Sequence, residues 1–208
     1  MSLTVAASGR PAPVRLLICG FASPQEDALA RLQARGWRHP RIAVGYARLP
    51  ADPDVALRRL CEALGESGAS GVLLLDESGA ADRFTVMLRA CNRLARAAGA
   101  HVARHGRISP LGPGSARMTG PVGDLVRGLR AAGCAVKVGS DPEEGPANHL
   151  VYRLLTEAAG EIGSPTVAVL GLPQSGADAD RGVDAAVLAF ADTLSSATTA
   201  VTQGLVTA

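Results

Sequence analysis

An open, mostly parallel α/β sheet with helices on both faces is predicted by three observations. Short apolar runs lack polar alternation, segments of helical period lie between them, and Gly or acidic residues mark where the runs stop. Residues 14–19 form the first run, ending at Gly20, and suit a strand buried on both faces. Residues 25–35 follow as a helix with Ala28, Leu29 and Leu32 on one side, entered through Ser23-Pro24 and closed by Gly36. Residues 41–46 read as a second strand. Residues 54–67 read as a helix in which Val55, Leu57, Leu60, Cys61 and Leu64 recur at helical spacing behind the start signal Asp52-Pro53.

Residues 71–75 give a third buried strand, and Asp76-Glu77-Ser78-Gly79 caps its carboxyl end. Residues 83–97 fit two periods. Phe84, Val86, Leu88 and Ala90 alternate as in a strand, whereas Leu88, Leu94, Ala95 and Ala98 suit a helix, and periodicity leaves both open. Residues 122–132 form a helix entered from Thr119-Gly120-Pro121 and stopped by Gly133, and residues 135–138 a strand. Residues 148–162 form a helix with the stripe Val151, Leu154, Leu155, Ala158 and Ile162. Residues 166–170 are the last strand, and a long helix runs from about Arg181 to about Val201.

At 208 residues the chain is read as a short flexible leader, 1–13, and one domain, 14–208. Net charge is +2 and Lys137 is the only lysine, so no basic stripe marks a nucleic-acid or anionic-membrane surface. Aromatic residues make up 3%, too few for base stacking. Cys19, Cys61, Cys91 and Cys134 are widely spaced without a Cys-x-x-Cys pair, which argues against a disulfide framework and against a metal site. No cofactor motif is present, since Gly20-Phe21-Ala22-Ser23 is not a dinucleotide fingerprint. The expectation is a cytoplasmic protein without a membrane span or signal peptide. Sites in such a sheet gather at strand carboxyl ends, here Cys19-Gly20-Phe21, Asp76-Glu77, Ser140-Asp141 and Gly171-Leu172-Pro173.

Four blocks occur in an order and spacing that is similar to the pyroglutamyl peptidase I family, cysteine peptidases that remove 5-oxoproline from peptide amino termini. They are Leu17-Ile18-Cys19-Gly20-Phe21, Ile108 through Leu111-Gly112-Pro113 to Pro121, Asn148-His149-Leu150-Val151-Tyr152-Arg153-Leu154-Leu155, and Ala168-Val169-Leu170-Gly171-Leu172-Pro173-Gln174. The resemblance implies a three-layer α/β/α fold and a homo-oligomer. It also implies a Cys, His and acid triad, which by position falls on Ala147, Gly171 and Met87, the last with room for a one-residue slip. Ala147 carries only a methyl group and has no nucleophile to offer. The expectation is a catalytically inactive relative whose cleft, near Phe21, Asp76, Glu77, Asp141, Asn148 and His149, binds a peptide amino terminus or a small molecule, or one with a structural role.

The same residues also have plain readings. Cys19 suits a core thiol, His149 a packed or capping ring, Asp76 and Glu77 solvated loop charges, and Asp141-Pro142-Glu143-Glu144 an acidic entry to the next helix. Ser140 has no carried-over imidazole to activate it. A hydrolase with relocated chemistry on Asp76, Glu77 or His149 is the alternative.

Overall fold

A computed structural model describes residues 15–22, 27–77, 82–94, 106–140, 145–158, 164–173 and 178–206. The leader 1–13, the acidic segment 141–144, Ser78-Gly79, Ile162 and Gln174 lie outside them. The described elements are β1 (Arg15–Phe21), α1 (Ala28–Ala34), β2 (Ala43–Leu49), α2 (Pro53–Ser67), β3 (Gly71–Asp76), β4 (Phe84–Met87), β5 (Arg89–Cys91), β6 (Ser115–Arg117), α3 (Val122–Ala131), β7 (Val136–Gly139), α4 (Pro146–Arg153), a π-helical turn (Leu154–Ala158), β8 (Thr166–Gly171) and α5 (Ala179–Val206).

Six strands form one sheet in the order β2-β1-β3-β8-β4-β7, and β5 and β6 form a separate antiparallel ribbon. β1, β2, β3 and β8 run parallel, whereas β4 pairs antiparallel with β8 and parallel with β7. The residues between Asp76 and Phe84 are too few for a parallel crossover, so β4 returns in the opposite sense. One expectation is corrected by this reversal. The carboxyl end of β7, with Ser140, does not join those of β1, β3 and β8 but leaves the sheet level with the middle of β8.

Alternation along the strands sorts the core into two layers. Leu16, Ile18, Leu73, Leu75, Ala168 and Leu170 face α1, α3 and α5. Leu17, Cys19, Val72, Leu74, Val167 and Val169 face α2, α4 and the ribbon. On α5 the buried stripe Val183, Ala186, Val187, Phe190, Ala191 and Leu194 keeps helical spacing, and each fully buried large side chain contributes about 1.5–3 kcal/mol of transfer free energy. Two glycines permit close packing that a side chain would block. A Cβ at Gly120 would lie 2.7 Å from the Val167 carbonyl oxygen, and one at Gly182 would run into the Phe84 ring.

Helix starts differ from expectation where a cap was overlooked. α1 opens behind Asp27, whose carboxylate accepts from the Ala30 N–H at 2.7 Å, and the expected entry at Ser23-Pro24 lies outside the described residues. α2 opens as expected, with Asp52 accepting from Asp54 and Val55 N–H at 3.0 and 2.9 Å and Gly68 closing it at φ 59°. Val55 itself is 40% exposed, because Ala56 and Ala63 take the buried face with Leu57, Leu60 and Leu64. The undecided stretch resolves as β4 and β5 in its described part. The expected helix at 148–162 starts two residues earlier, at Pro146, and widens into the π turn at Leu154, where Thr156 Oγ1 donates to the Tyr152 carbonyl at 2.8 Å.

Candidate functional site

Register places four residues in one row at the carboxyl edge of β1, β3 and β8. Asp76 pairs with Gly171 and Gly171 with Thr85, and Phe21 follows the paired Gly20 and Leu75 by one step, level with Asp76. Each stands two residues beyond, or directly beside, a residue of the α2 and α4 layer, so all four face that side of the sheet. Gly171 leaves a gap between Asp76 and Thr85: a Cβ there would lie 3.3 Å from the Thr85 Cβ. Met87, two residues beyond Thr85, faces the same way and is 9% exposed. Gly139 on β7 makes room for it, since a Cβ there would lie 2.8 Å from the Met87 sulfur.

The first turn of α4 packs into the apolar layer on this face. Ala147 is 4% exposed and belongs to the same apolar cluster as Met87 and Val169. Ala147, Met87 and Gly171 are thus brought to one face of the sheet, and none of the three carries an ionisable or nucleophilic group. Cys19 lies in the same layer, fully buried, and burial pushes its thiol up to about 12. At neutral pH it is a protonated core side chain without nucleophilic character.

Two of the expected cleft residues have partners in the scaffold. Glu77 Oε1 accepts from the Ala28 N–H at 2.7 Å and closes the amino end of α1 together with Asp27. Asp27, 4% exposed, is ion-paired with Arg48 at 2.8 Å, a bracket that went unread because the aspartate precedes the apolar pattern by a single residue. Asn148 is buried and points away from the row. Its Oδ1 accepts from the Cys91 N–H at 2.7 Å, and its Nδ2 donates to the Cys91 and Arg93 carbonyls at 3.0 and 3.3 Å, clamping α4 to β5. Phe21 and Asp76 remain at the row, Asp141 lies outside the described residues, and Ser140 is exposed at the end of β7. Thr85 was missed, since a hydroxyl inside an ambiguous apolar run carries no signal of its own.

His149 is half-buried on the outer side of α4. Desolvation, then the nearby Arg153 guanidinium, holds its ring below the usual imidazole value, against the opposing pull of Asp54, Glu157 and Asp52. The ring therefore favours its neutral form when folded. Stability linked to it is complete above about pH 6.5, the ordinary imidazole value, and is lost as pH falls from there toward the lower folded value. Replacing His149 with Gln is expected to flatten that limb of a Tm against pH curve. An unchanged slope would assign the effect to another group.

Two grooves lie away from the row, one of about 630 Å³ between α3 and α5 and one of about 550 Å³ beside β6 and the π turn. Among the described residues no cluster of His, Cys, Asp or Glu is able to hold a metal ion. Among them also, no helix is long and apolar enough to cross a membrane.

No protein-family model matches the sequence, and no curated protein matches it. Solved structures do match. Pyroglutamyl peptidase I from Bacillus amyloliquefaciens aligns with a TM-score of 0.72 at 19% identity over 86% of this chain and 97% of its own. Pyrrolidone carboxyl peptidase from Thermococcus litoralis gives 0.71 at 18% identity, covering 87% and 94%. A mutant pyrrolidone carboxyl peptidase from Pyrococcus furiosus gives 0.73 at 15% identity, covering 87% and 100%. At these identities the likeness is one of architecture, and the chain has the three-layer α/β/α fold of pyroglutamyl peptidase I.

Proposed function

We propose that the protein is a non-catalytic relative of pyroglutamyl peptidase I that uses the row at the sheet edge to bind the free amino terminus of a peptide or a small amine. The observation that carries this reading is the set Ala147, Met87 and Gly171 on one sheet face. These are the positions where the resemblance places a nucleophile, an orienting acid and a base, and a methyl group, a thioether and a hydrogen stand in for them. The row carries the polar groups of Asp76 and Thr85, flanking the gap at Gly171 beside the ring of Phe21. A carboxylate accepts several hydrogen bonds at once and favours an ammonium over a neutral lactam. The rival reading, relocated hydrolysis, loses support because Glu77 is engaged as a helix cap.

Four cysteines that form no disulfide suit a reducing compartment, and we place the protein in the cytoplasm. Titrating the chain with a dipeptide amide bearing a free amino terminus is expected to raise Tm, with its 5-oxoprolyl counterpart giving no shift. Asp76→Asn is expected to remove the response. A larger shift with the 5-oxoprolyl compound, or an unchanged shift in Asp76→Asn, would reject amine recognition at this row.

A further inference from the structure

β6 is the outer strand of the β5–β6 ribbon, and its hydrogen-bond parity leaves one edge open. Asn92 N–H donates to the Gly114 carbonyl at 3.0 Å and Met118 N–H to the Leu88 carbonyl at 2.9 Å, so these residues, and the pair Ala90 and Ala116 between them, exchange bonds across the ribbon. Ser115 and Arg117 stand at the alternate positions and turn their N–H and C=O groups outward. Among the described residues those groups meet no protein partner. The groove of about 550 Å³ runs along this edge, walled by Leu155 and Thr156 of the π turn and by Ser164 and Pro165.

Charge supplies an independent indication. Arg117 pairs directly with Arg89 across the ribbon, a like-charge arrangement that disfavours it. Arg89 Nε donates to the Ser140 carbonyl, and neither guanidinium has an ion-pair partner among the described residues. The described lining of the groove includes Arg117 and no carboxylate.

We propose that the open edge of β6 binds an extended peptide of alternating acidic and apolar residues as an added strand. In an antiparallel pairing the guest residues opposite Ser115 and Arg117 would exchange two bonds each with the edge. Their side chains would fall on the face of Arg89 and Arg117, which calls for carboxylates. The guest residue between them, opposite Ala116, would fall on the other face, where Ala116 and Leu155 pack on the core, which calls for an apolar side chain. A second copy of this chain fits less well, because two such edges would gather four guanidiniums without an anion.

Fluorescence anisotropy with end-capped, labelled Glu-Val-Glu-Val-Glu and Lys-Val-Lys-Val-Lys, added to the full chain, tests the proposal. The acidic peptide is expected to bind saturably and more weakly as salt rises, and the basic peptide not at all. Arg117→Glu is expected to weaken binding roughly tenfold or more. Ser115→Pro, which deletes one outward N–H while keeping the charge at a position where an edge strand tolerates proline, is expected to do the same. Asp76→Asn should leave this binding intact, which separates the edge from the row described above. The proposal is overturned by absence of saturation at millimolar peptide, by equal binding of both peptides, or by full retention in both edge variants. It is equally overturned if the chain self-associates and Ser115→Pro abolishes that, since a second copy would then hold the edge.

Discussion

Turnover of a fluorogenic 5-oxoprolyl amide by the purified chain is expected to fall about 10⁶-fold below that of a peptidase with an intact triad, the scale on which removal of triad members acts. Ala147→Cys alone is expected to leave it there. A thiol in the first turn of α4 would gain thiolate character from the helix amino terminus. It would still face Gly171, which has no imidazole to take its proton or pass one to the leaving amine, and Met87, which has no carboxylate to orient such a ring. The Asp76 carboxylate at the same edge also opposes a developing oxyanion.

Adding Gly171→His to Ala147→Cys asks the Thr85 Cβ, 3.3 Å from the new Cβ, to give by a few tenths of an ångström. Burst release of the fluorophore, blocked by a thiol reagent, is expected only when Met87→Glu completes the set. Thiol-sensitive turnover by the unmodified chain would refute the inactive reading outright, whatever the variants do.

Much of the sheet was legible because strands buried on both faces have to be apolar throughout. Residues 71–75 and 166–170 announce β3 and β8 on that ground alone. β6 carried no such signal. Ser115-Ala116-Arg117 is held by main-chain hydrogen bonds and by the clamp of Asn92 on Ser109 and Gly112, none of which leaves a periodic trace. The sense of β4 was hidden as well, since direction depends on the length of a connection and not on the strand's own residues. At the site, the side chains on one face followed from period two, yet the hydrogen bonds of Glu77 to the Ala28 N–H and of Asn148 to Cys91 and Arg93 were not legible, for one reason. A polar residue beside a cleft and a polar residue bracing a scaffold look identical until their hydrogen-bond partners are known.

Asn148→Ala is therefore expected to act on stability rather than on ligand binding, and to cost about 2 kcal/mol. The side chain is 6% exposed and completes the Cys91 N–H and C=O together with the Arg93 carbonyl. Truncation strands the buried Cys91 N–H at roughly 1–3 kcal/mol and opens a small void besides, while the Cys91 carbonyl keeps the Arg93 N–H at 2.8 Å. Asn148→Asp is expected to fare no better, because it keeps an acceptor for the Cys91 N–H but sets a second oxygen against the Cys91 carbonyl.

Arg153→Ala is the fitting control. Its pairing with Asp54 and Glu157 sits near solvent on the same helix, and exposed pairs of this kind contribute about 0–1 kcal/mol. Urea unfolding followed by the single tryptophan, Trp37, should show the midpoint falling in Asn148→Ala with the slope unchanged. A loss below about 1 kcal/mol would mean that α4 is not pinned through this amide. The placement of Ala147 over the sheet face, on which the loss of a nucleophile is argued, would then lose its anchor.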